Sequence, residues 1–149
     1  MDLLPTFLRK VIFKLTLAAF GENSYIDYGC FIRYPWRVKV ASNVVINKGV
    51  KIYPSYLVKG TFIEIGARTI IAPEVMILGA GHSLEITLPD VSADIKIGED
   101  CFIGAGSIIR YGIQIGNKAV VAAGSVVVKD IPPGEVHGGN PASFIRMRF

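Results

Sequence analysis

The 149 residues include only two cysteines, two histidines and one tryptophan, and these scarcities narrow the reading at once. Cys30 and Cys101 do not indicate a disulfide framework and are expected as small core residues. No apolar run approaches the roughly 20 residues that a membrane-spanning helix needs, because Lys14 breaks the hydrophobic N-terminus. The same lysine argues against a cleaved signal peptide. Sixteen basic and twelve acidic residues leave a net charge of +4, spread out, with no dense basic run of the kind that lines a nucleic-acid groove. An anionic small molecule or a membrane surface suits that charge as well as any polymer does. Hydrophobic residues make up 51% of the chain, enough for one domain with a substantial core.

A period of six dominates instead. From Ile97 to Ile131 an aliphatic residue returns at every sixth position, through Ile97, Ile103, Ile109, Ile115, Val121 and Val127. That spacing belongs neither to an α-helix nor to a simple alternating strand. With that residue as position one, position two is mostly glycine or alanine (Gly98, Gly104, Gly116, Ala122). Position five is mostly small (Cys101, Ser107, Ala119, Ser125), with Ile113 and Ile131 as larger exceptions. Position five and the next position one lie two residues apart, so on an extended strand they share a face. Each six is therefore a short strand plus a corner, with glycine at position two where a side chain would be crowded. Three sixes close a triangular turn, and stacked turns put the aliphatic column into one interior. The spacing predicts a parallel β-helix.

These hexads resemble the repeat of the hexapeptide acyltransferases, and KDIPPGEVHGGNPASFIR resembles the C-terminal signature of their acetyltransferase branch. The resemblance covers the chain from about Ile26 to Arg146. It implies an all-β, left-handed parallel β-helix, a homotrimer, and acetyl-CoA held between neighbouring subunits with no metal. The chain resembles in particular the short sugar O-acetyltransferases of polysaccharide biosynthesis. That implies acetyl transfer to a carbohydrate hydroxyl, in the cytoplasm or at the inner face of the membrane, with no nucleic-acid partner. An N-acetyltransferase acting on an amino sugar and a non-catalytic structural β-helix are the alternatives. A γ-class carbonic anhydrase uses the same coil but needs three histidine positions, and only two exist.

Residues 1–20 read as an amphipathic helix ahead of a β-helix over residues 21–149. Leu4, Phe7, Leu8, Val11, Ile12 and Leu15 form its apolar face, Arg9, Lys10 and Lys14 lie elsewhere, and Pro5 suits a first turn. Such a helix caps the open solenoid or packs on a subunit, the preferred reading, or lies on an anionic membrane surface as a peripheral contact. From Ile26 to Val58 the hexads are damaged, with two extra residues between Val38 and the column of Ile46. Tyr25, Tyr28, Tyr34, Trp36, Tyr53 and Tyr56 gather there, as an outer cover, a subunit contact or a wall for a sugar. Register resumes at Ile65, Ile71 and Ile77. The twenty residues from Ile77 to Ile97 exceed a full turn by two, which predicts a loop thrown out over residues 79–96.

His82 stands at the base of that loop. The family's catalytic histidine lies where an extra loop leaves a repeat, and GAGHSLE matches that placement, so the resemblance assigns His82 as general base. A hydroxyl is a weak nucleophile at neutral pH, and imidazole titrates in the useful range. Glu85, Asp90, Asp94 or a backbone carbonyl would orient it. Backbone N–H groups near Gly104 or Gly79 are candidates for the oxyanion. Gly104, Ala105, Ala122 and Ala123 make a row of small corner residues, one turn apart, along which the amide arm of the implied acyl-CoA would pair. Lys129 and Arg146 are the expected phosphate cations, ahead of Lys118 and Arg148. His137 is expected to be structural or near the CoA arm. Three positions depart from the family pattern: Phe102, where tryptophan is frequent, alters the wall beside the arm or acceptor; Ser143, where lysine is common, removes a candidate phosphate contact; and Ser83, directly after the histidine, leaves the acceptor open.

Overall fold

Short strands interrupted by a corner at every sixth residue bend into a three-sided prism. The computed structural model describes residues 4–55, 60–81 and 91–149. The first face carries Ala19–Phe20, Val38–Val40, Ile63–Ile65, Ile95–Ile97 and Gln114–Ile115, all parallel. The second carries Tyr25–Ile26, Val45–Ile46, Ile70–Ile71, Phe102–Ile103 and Val120–Val121. The third carries Phe31–Ile32, Lys51–Tyr53, Met76–Leu78, Ile108–Ile109 and Val126–Val127.

Position-one residues stack on one another, Ile46, Ile71, Ile103 and Val121 on the second face and Ile52, Ile77, Ile109 and Val127 on the third. All are buried, and each contributes about 1.5–3 kcal/mol relative to exposure. The large position-five residue Ile113 has a simple cause. Val38, Ile63, Ile95 and Ile113 all precede or occupy first-face strands and are buried there, so that face fills its interior with two aliphatic rows. The later coils put the smaller Cys101, Ser107, Ala119 and Ser125 before the other two faces.

Position two behaves as the spacing predicts. A Cβ on Gly66 would meet the Gly98 carbonyl carbon at 2.5 Å, and one on Gly104 the Ala123 nitrogen at 2.5 Å. Position four, which reads as a free position in the sequence, is where the backbone turns left-handed: Asn23, Gly29, Asn43, Gly49, Arg68, Glu74, Asp100, Gly106, Gly112, Lys118 and Gly124 all have positive φ.

A regular turn advances eighteen residues, as from Ile97 to its partner Ile115. Phe20 to Val40 takes twenty, Val40 to Ile65 twenty-five, and Ile65 to Ile97 thirty-two. The excess always falls at the same corner, between the third and first faces. Ile109 to Ile115 spans it in six residues, whereas Ile32 to Val40 takes eight, Ile52 to Ile65 thirteen and Ile77 to Ile97 twenty. The last insertion therefore exceeds a regular step by fourteen residues, not two, because Ile77 and Ile97 lie on adjacent faces. Likewise Val40, not Val38, holds the register with Ile46, and the two extra residues fall before Val38, where Pro35–Arg37 form a 3₁₀ turn. Val58 and Tyr56 lie outside the described residues.

The N-terminal helix, α1, spans Thr6–Thr16 and ends where Leu17 goes extended. It turns a different face inward from the one expected. Arg9, Phe13 and Leu17 are buried against the first coil, while Phe7, Leu8, Val11 and Leu15 are exposed. Arg9 is 3% exposed; its Nη2 donates to the Asp27 carbonyl at 2.6 Å, and its guanidinium lies 4.2 Å from the Tyr28 ring centroid. The helix thus caps the solenoid by a cation stacked on an aromatic ring and by Phe13. At the other end Ile131 bridges to Ile115, and an antiparallel hairpin of Glu135–Gly139 and Ala142–Met147 extends the second face.

Candidate active site

The small-residue row lies on the edge between the second and third faces. Gly104 is buried beneath the Ala122–Ala123 backbone, while Ala105, Gly106, Ala123 and Gly124 are exposed. The edge is rigidly tied: Gly104 N–H donates to Val121 O at 2.8 Å, Gly124 N–H to Ala105 O at 2.8 Å and Ala122 N–H to His137 O at 2.8 Å. The Ser107 and Ser125 hydroxyls both donate to Ala122 O, at 3.0 and 2.6 Å.

A Cβ added to Gly106 or Gly124 would meet nothing within 4 Å. Nor does positive φ alone demand glycine, since Arg68, Asp100 and Lys118 hold the same conformation at another edge. Sequence reasoning passed over Gly106 and Gly124, although glycine recurring at position four was a visible signal. The consequence is a clear ledge about two coils long.

His82 lies outside the described residues, as do Glu85 and Asp90. The segment that carries them leaves and rejoins the prism at the edge between the third and first faces, where Ala80–Gly81 pairs antiparallel with Val91–Ser92. A Cβ on Gly81 would run into the Tyr111 ring, 2.5 Å from Cε1, so the entrance to the segment is packed on that ring. Tyr111 has no hexad signature and was not foreseen. Asp94 Oδ1 accepts the Phe62 N–H at 2.8 Å, which fixes the insertion's return to the first face. The two suggested oxyanion donors are both engaged, Gly104 N–H with Val121 O and Gly79 N–H with Tyr53 O, each at 2.8 Å. Neither is free to meet an oxyanion in this arrangement.

The cations separate. Lys129 follows the strand Val126–Val127 and is exposed on the third–first side, a face away from the small row. Arg146 is exposed on the C-terminal strand, its Nη1 donating to Met147 O at 2.9 Å. Arg148 instead reaches back, donating to Asp100 O at 2.6 Å and Lys118 O at 3.2 Å, and so straps the terminus to the first–second edge. His137 Nε2 is 2.7 Å from Glu135 Oε2, and its ring meets Phe144 edge-on at 6.0 Å. With its carbonyl holding Ala122, it supports the row from one coil beyond. Cys101 is buried, its Sγ donating to Gly116 O at 3.1 Å, and burial pushes its thiol pKa up, which leaves it inert. No group of three potential metal ligands occurs among the described residues.

A cleft of about 650 Å³ runs along the first face past Lys39, Glu64, Lys96 and Gln114. None of the described catalytic or cofactor-binding candidates lines it. It is a shallow trough over the first face, whereas the ledge lies between the second and third faces and the inserted segment leaves from the corner between the third and first.

Comparison with known proteins decides the family. The repeat described as the hexapeptide repeat of succinyl-transferase matches residues 94–129. Galactoside O-acetyltransferase of Escherichia coli (strain K12) is 32% identical over 142 residues, covering 93% of this chain and 68% of that protein. The chain belongs to the hexapeptide-repeat acetyltransferases. Another of these acetyltransferases, from Vibrio cholerae O1 biovar eltor and solved in complex with acetyl-CoA, superposes with a TM-score of 0.89 at 27% identity, over 98% of this chain and 79% of that one. WcaF of Escherichia coli (strain K12), an acetyltransferase assigned to colanic acid biosynthesis, is 30% identical over 141 residues, or 94% of this chain and 75% of that protein. The prism is accordingly the left-handed parallel β-helix of these acetyltransferases.

Proposed function

We propose that the protein moves the acetyl group of acetyl-CoA to a hydroxyl of a sugar destined for surface polysaccharide, with His82 as general base. The supporting observation is the ledge at Ala105–Gly106 and Ala123–Gly124, which carries nothing larger than a methyl although crowding within the protomer leaves room for more; positive φ favours glycine at Gly106 and Gly124, but Arg68, Asp100 and Lys118 hold the same conformation at another edge. An extended pantetheine arm fits such a ledge. In the reaction His82 takes the proton of the acceptor hydroxyl, the oxygen attacks the thioester carbonyl, and the CoA thiolate leaves. Arg146 supplies charge for the phosphates, and Lys129, a face away from the row within one protomer, does so from a neighbouring copy. The galactoside and colanic acid relatives supply the sugar and polysaccharide parts of the reading.

The ledge and the base of the His82 segment occupy opposite edges of the third face, so one protomer does not bring them together. A second copy completes the site, and a closed trimer fits. The outward residues of the second face, Tyr25, Val45, Ile70, Phe102 and Val120, are apolar or aromatic, and those of the third, Phe31, Met76, Ile108 and Val126, are apolar, with Lys51 the exception. The first face instead presents Lys39, Glu64, Lys96 and Gln114, suited to water. Two apolar sides and one charged side suit a heterologous contact that closes on itself.

The exposed stripe of α1 favours a peripheral membrane contact on the cytoplasmic side. Phe7 is 68% and Leu15 80% exposed, Lys10 and Lys14 flank them, and the helix carries no acidic residue. A basic helix with an uncovered apolar face suits an anionic bilayer surface. The free thiols of Cys30 and Cys101 fit a reducing compartment.

The direct experiment incubates the protein with acetyl-CoA and a panel of galactosides, glucosides and amino sugars. O-acetylated product detected by mass spectrometry supports the reading. Acetylation confined to amino groups would replace it with the N-acetyltransferase, and no transfer to any acceptor would remove it.

A further inference from the structure

The corner between the third and first faces holds a feature that acetyl transfer itself does not explain. In the first coil the two extra residues make the Pro35–Arg37 3₁₀ turn, and Trp36, the chain's sole tryptophan, is lifted out to 60% exposure. Tyr34, immediately before the turn, sits at φ 51, ψ 62, a left-handed conformation that is rare for an aromatic residue. Its ring meets the indole edge-on at 5.6 Å, and the Arg33 guanidinium lies 5.0 Å from the centre of the Tyr34 ring. A single exposed aromatic means little. Here exposure coincides with an inserted turn, an uncommon backbone conformation and a second ring that props the first.

Position adds the function. Trp36 lies on the same edge from which the His82 segment departs at Ala80–Gly81, two coils away, about 10 Å along the axis at the usual strand spacing. Tyr53, packed against Phe31 at 5.5 Å, occupies the coil between. A sugar ring presents an apolar C–H face that stacks on an indole while its rim hydroxyls stay wet. The span from Trp36 to the departure of the His82 segment is longer than one such ring.

We infer that Trp36, propped by Tyr34, is a stacking platform for a sugar unit of the acceptor that is not the unit being acetylated, so that the substrate is an oligosaccharide or longer glycan rather than a free monosaccharide. This rests on the sugar O-acetyltransferase reading and narrows its substrate class.

Trp36 is the only indole, so its fluorescence reports on the platform without any assay of transfer. Galacto-, gluco- and manno-oligosaccharides are titrated against the intact protein, each beside its monosaccharide. At least one oligosaccharide should shift or quench the emission while its monosaccharide does not. With that oligosaccharide as acceptor, Trp36→Ala should raise KM about tenfold with kcat and the KM for acetyl-CoA unchanged, and Trp36→Phe should restore most of the loss. No response across the panel, equal responses to both lengths, or an unchanged KM overturns the platform. A change in oligomeric mass of Trp36→Ala also overturns it, by making the indole a subunit contact. Fluorescence response without acetyl transfer leaves the platform standing and removes only the enzymatic reading beneath it.

Discussion

His82→Ala should lower turnover by a factor on the order of 10² to 10⁴, the usual contribution of a general base, while CoA affinity by calorimetry stays at the wild-type value. A silent substitution would transfer the role elsewhere. The ledge makes a separate demand. At Gly124 asparagine tolerates positive φ, and a Cβ there meets nothing within the protomer. Gly124→Asn should therefore leave thermal stability nearly unchanged but raise the KM for acetyl-CoA by about tenfold or more, since its side chain occupies the path of the arm. Asp100 tests a purely structural pair. Its carboxylate is bound by Arg68 Nε at 2.7 Å and Nη2 at 2.9 Å, and those hydrogen bonds hold its pKa below the usual carboxylate range. A depressed folded-state pKa means stability present above the unfolded value, about 3.9, and lost as pH falls through the folded value. Asp100→Asn should lower Tm at pH 7, with the deficit vanishing in strongly acid buffer. At this scale the sequence was uneven. His82 stands out as a candidate because only two histidines exist, and the row was legible because small residues recur at fixed spacing. Gly106 and Gly124 were not, since their value lies in what is missing above them.

Elements show why the insertions were misjudged. Counting in sixes along one line treats Ile77 and Ile97 as members of one column, whereas closure of the prism puts them on adjacent faces. Only three-dimensional register shows that all three irregular steps leave from one edge. The helix was misjudged for a related reason. Its apolar residues share a face by periodicity, yet the solenoid's end offers Tyr28 and the Asp27 carbonyl, which Arg9 satisfies better than leucine would. The apolar stripe is left outside, and that remainder is testable. Phe7→Ser with Leu15→Ser should abolish co-sedimentation with phosphatidylglycerol vesicles while leaving Tm nearly unchanged, because neither side chain is buried. Vesicles of phosphatidylcholine alone should bind weakly throughout. Wild-type protein that ignores acidic vesicles would leave the stripe to another copy of the chain. The coils are the better-read element: Ile103 is fully buried between Ile71 and Val121, and Ile103→Ala should cost about 2–5 kcal/mol by chemical denaturation.

The whole molecule is defined by what its edges hold apart. The ledge lies at one side of the third face and the root of the His82 segment at the other, so a self-sufficient protomer and a shared site make opposite forecasts. His82→Ala lacks the base but keeps its ledge; Ala123→Arg blocks the ledge but keeps its base. Each homo-oligomer should be nearly inactive. Unfolded together and refolded as a mixture, they should regain transfer, because statistical mixing at a heterologous interface gives about one junction in four with both intact halves. Recovery requires contact through the apolar sides, so adding Ile108→Lys to both partners should abolish it and reduce the mass by light scattering. Lys96→Glu, on the charged first face, should change neither. No recovery from a mixture that co-assembles would mean that base and ledge meet within one chain, and the path of the segment from Gly81 would have to carry His82 across the whole third face.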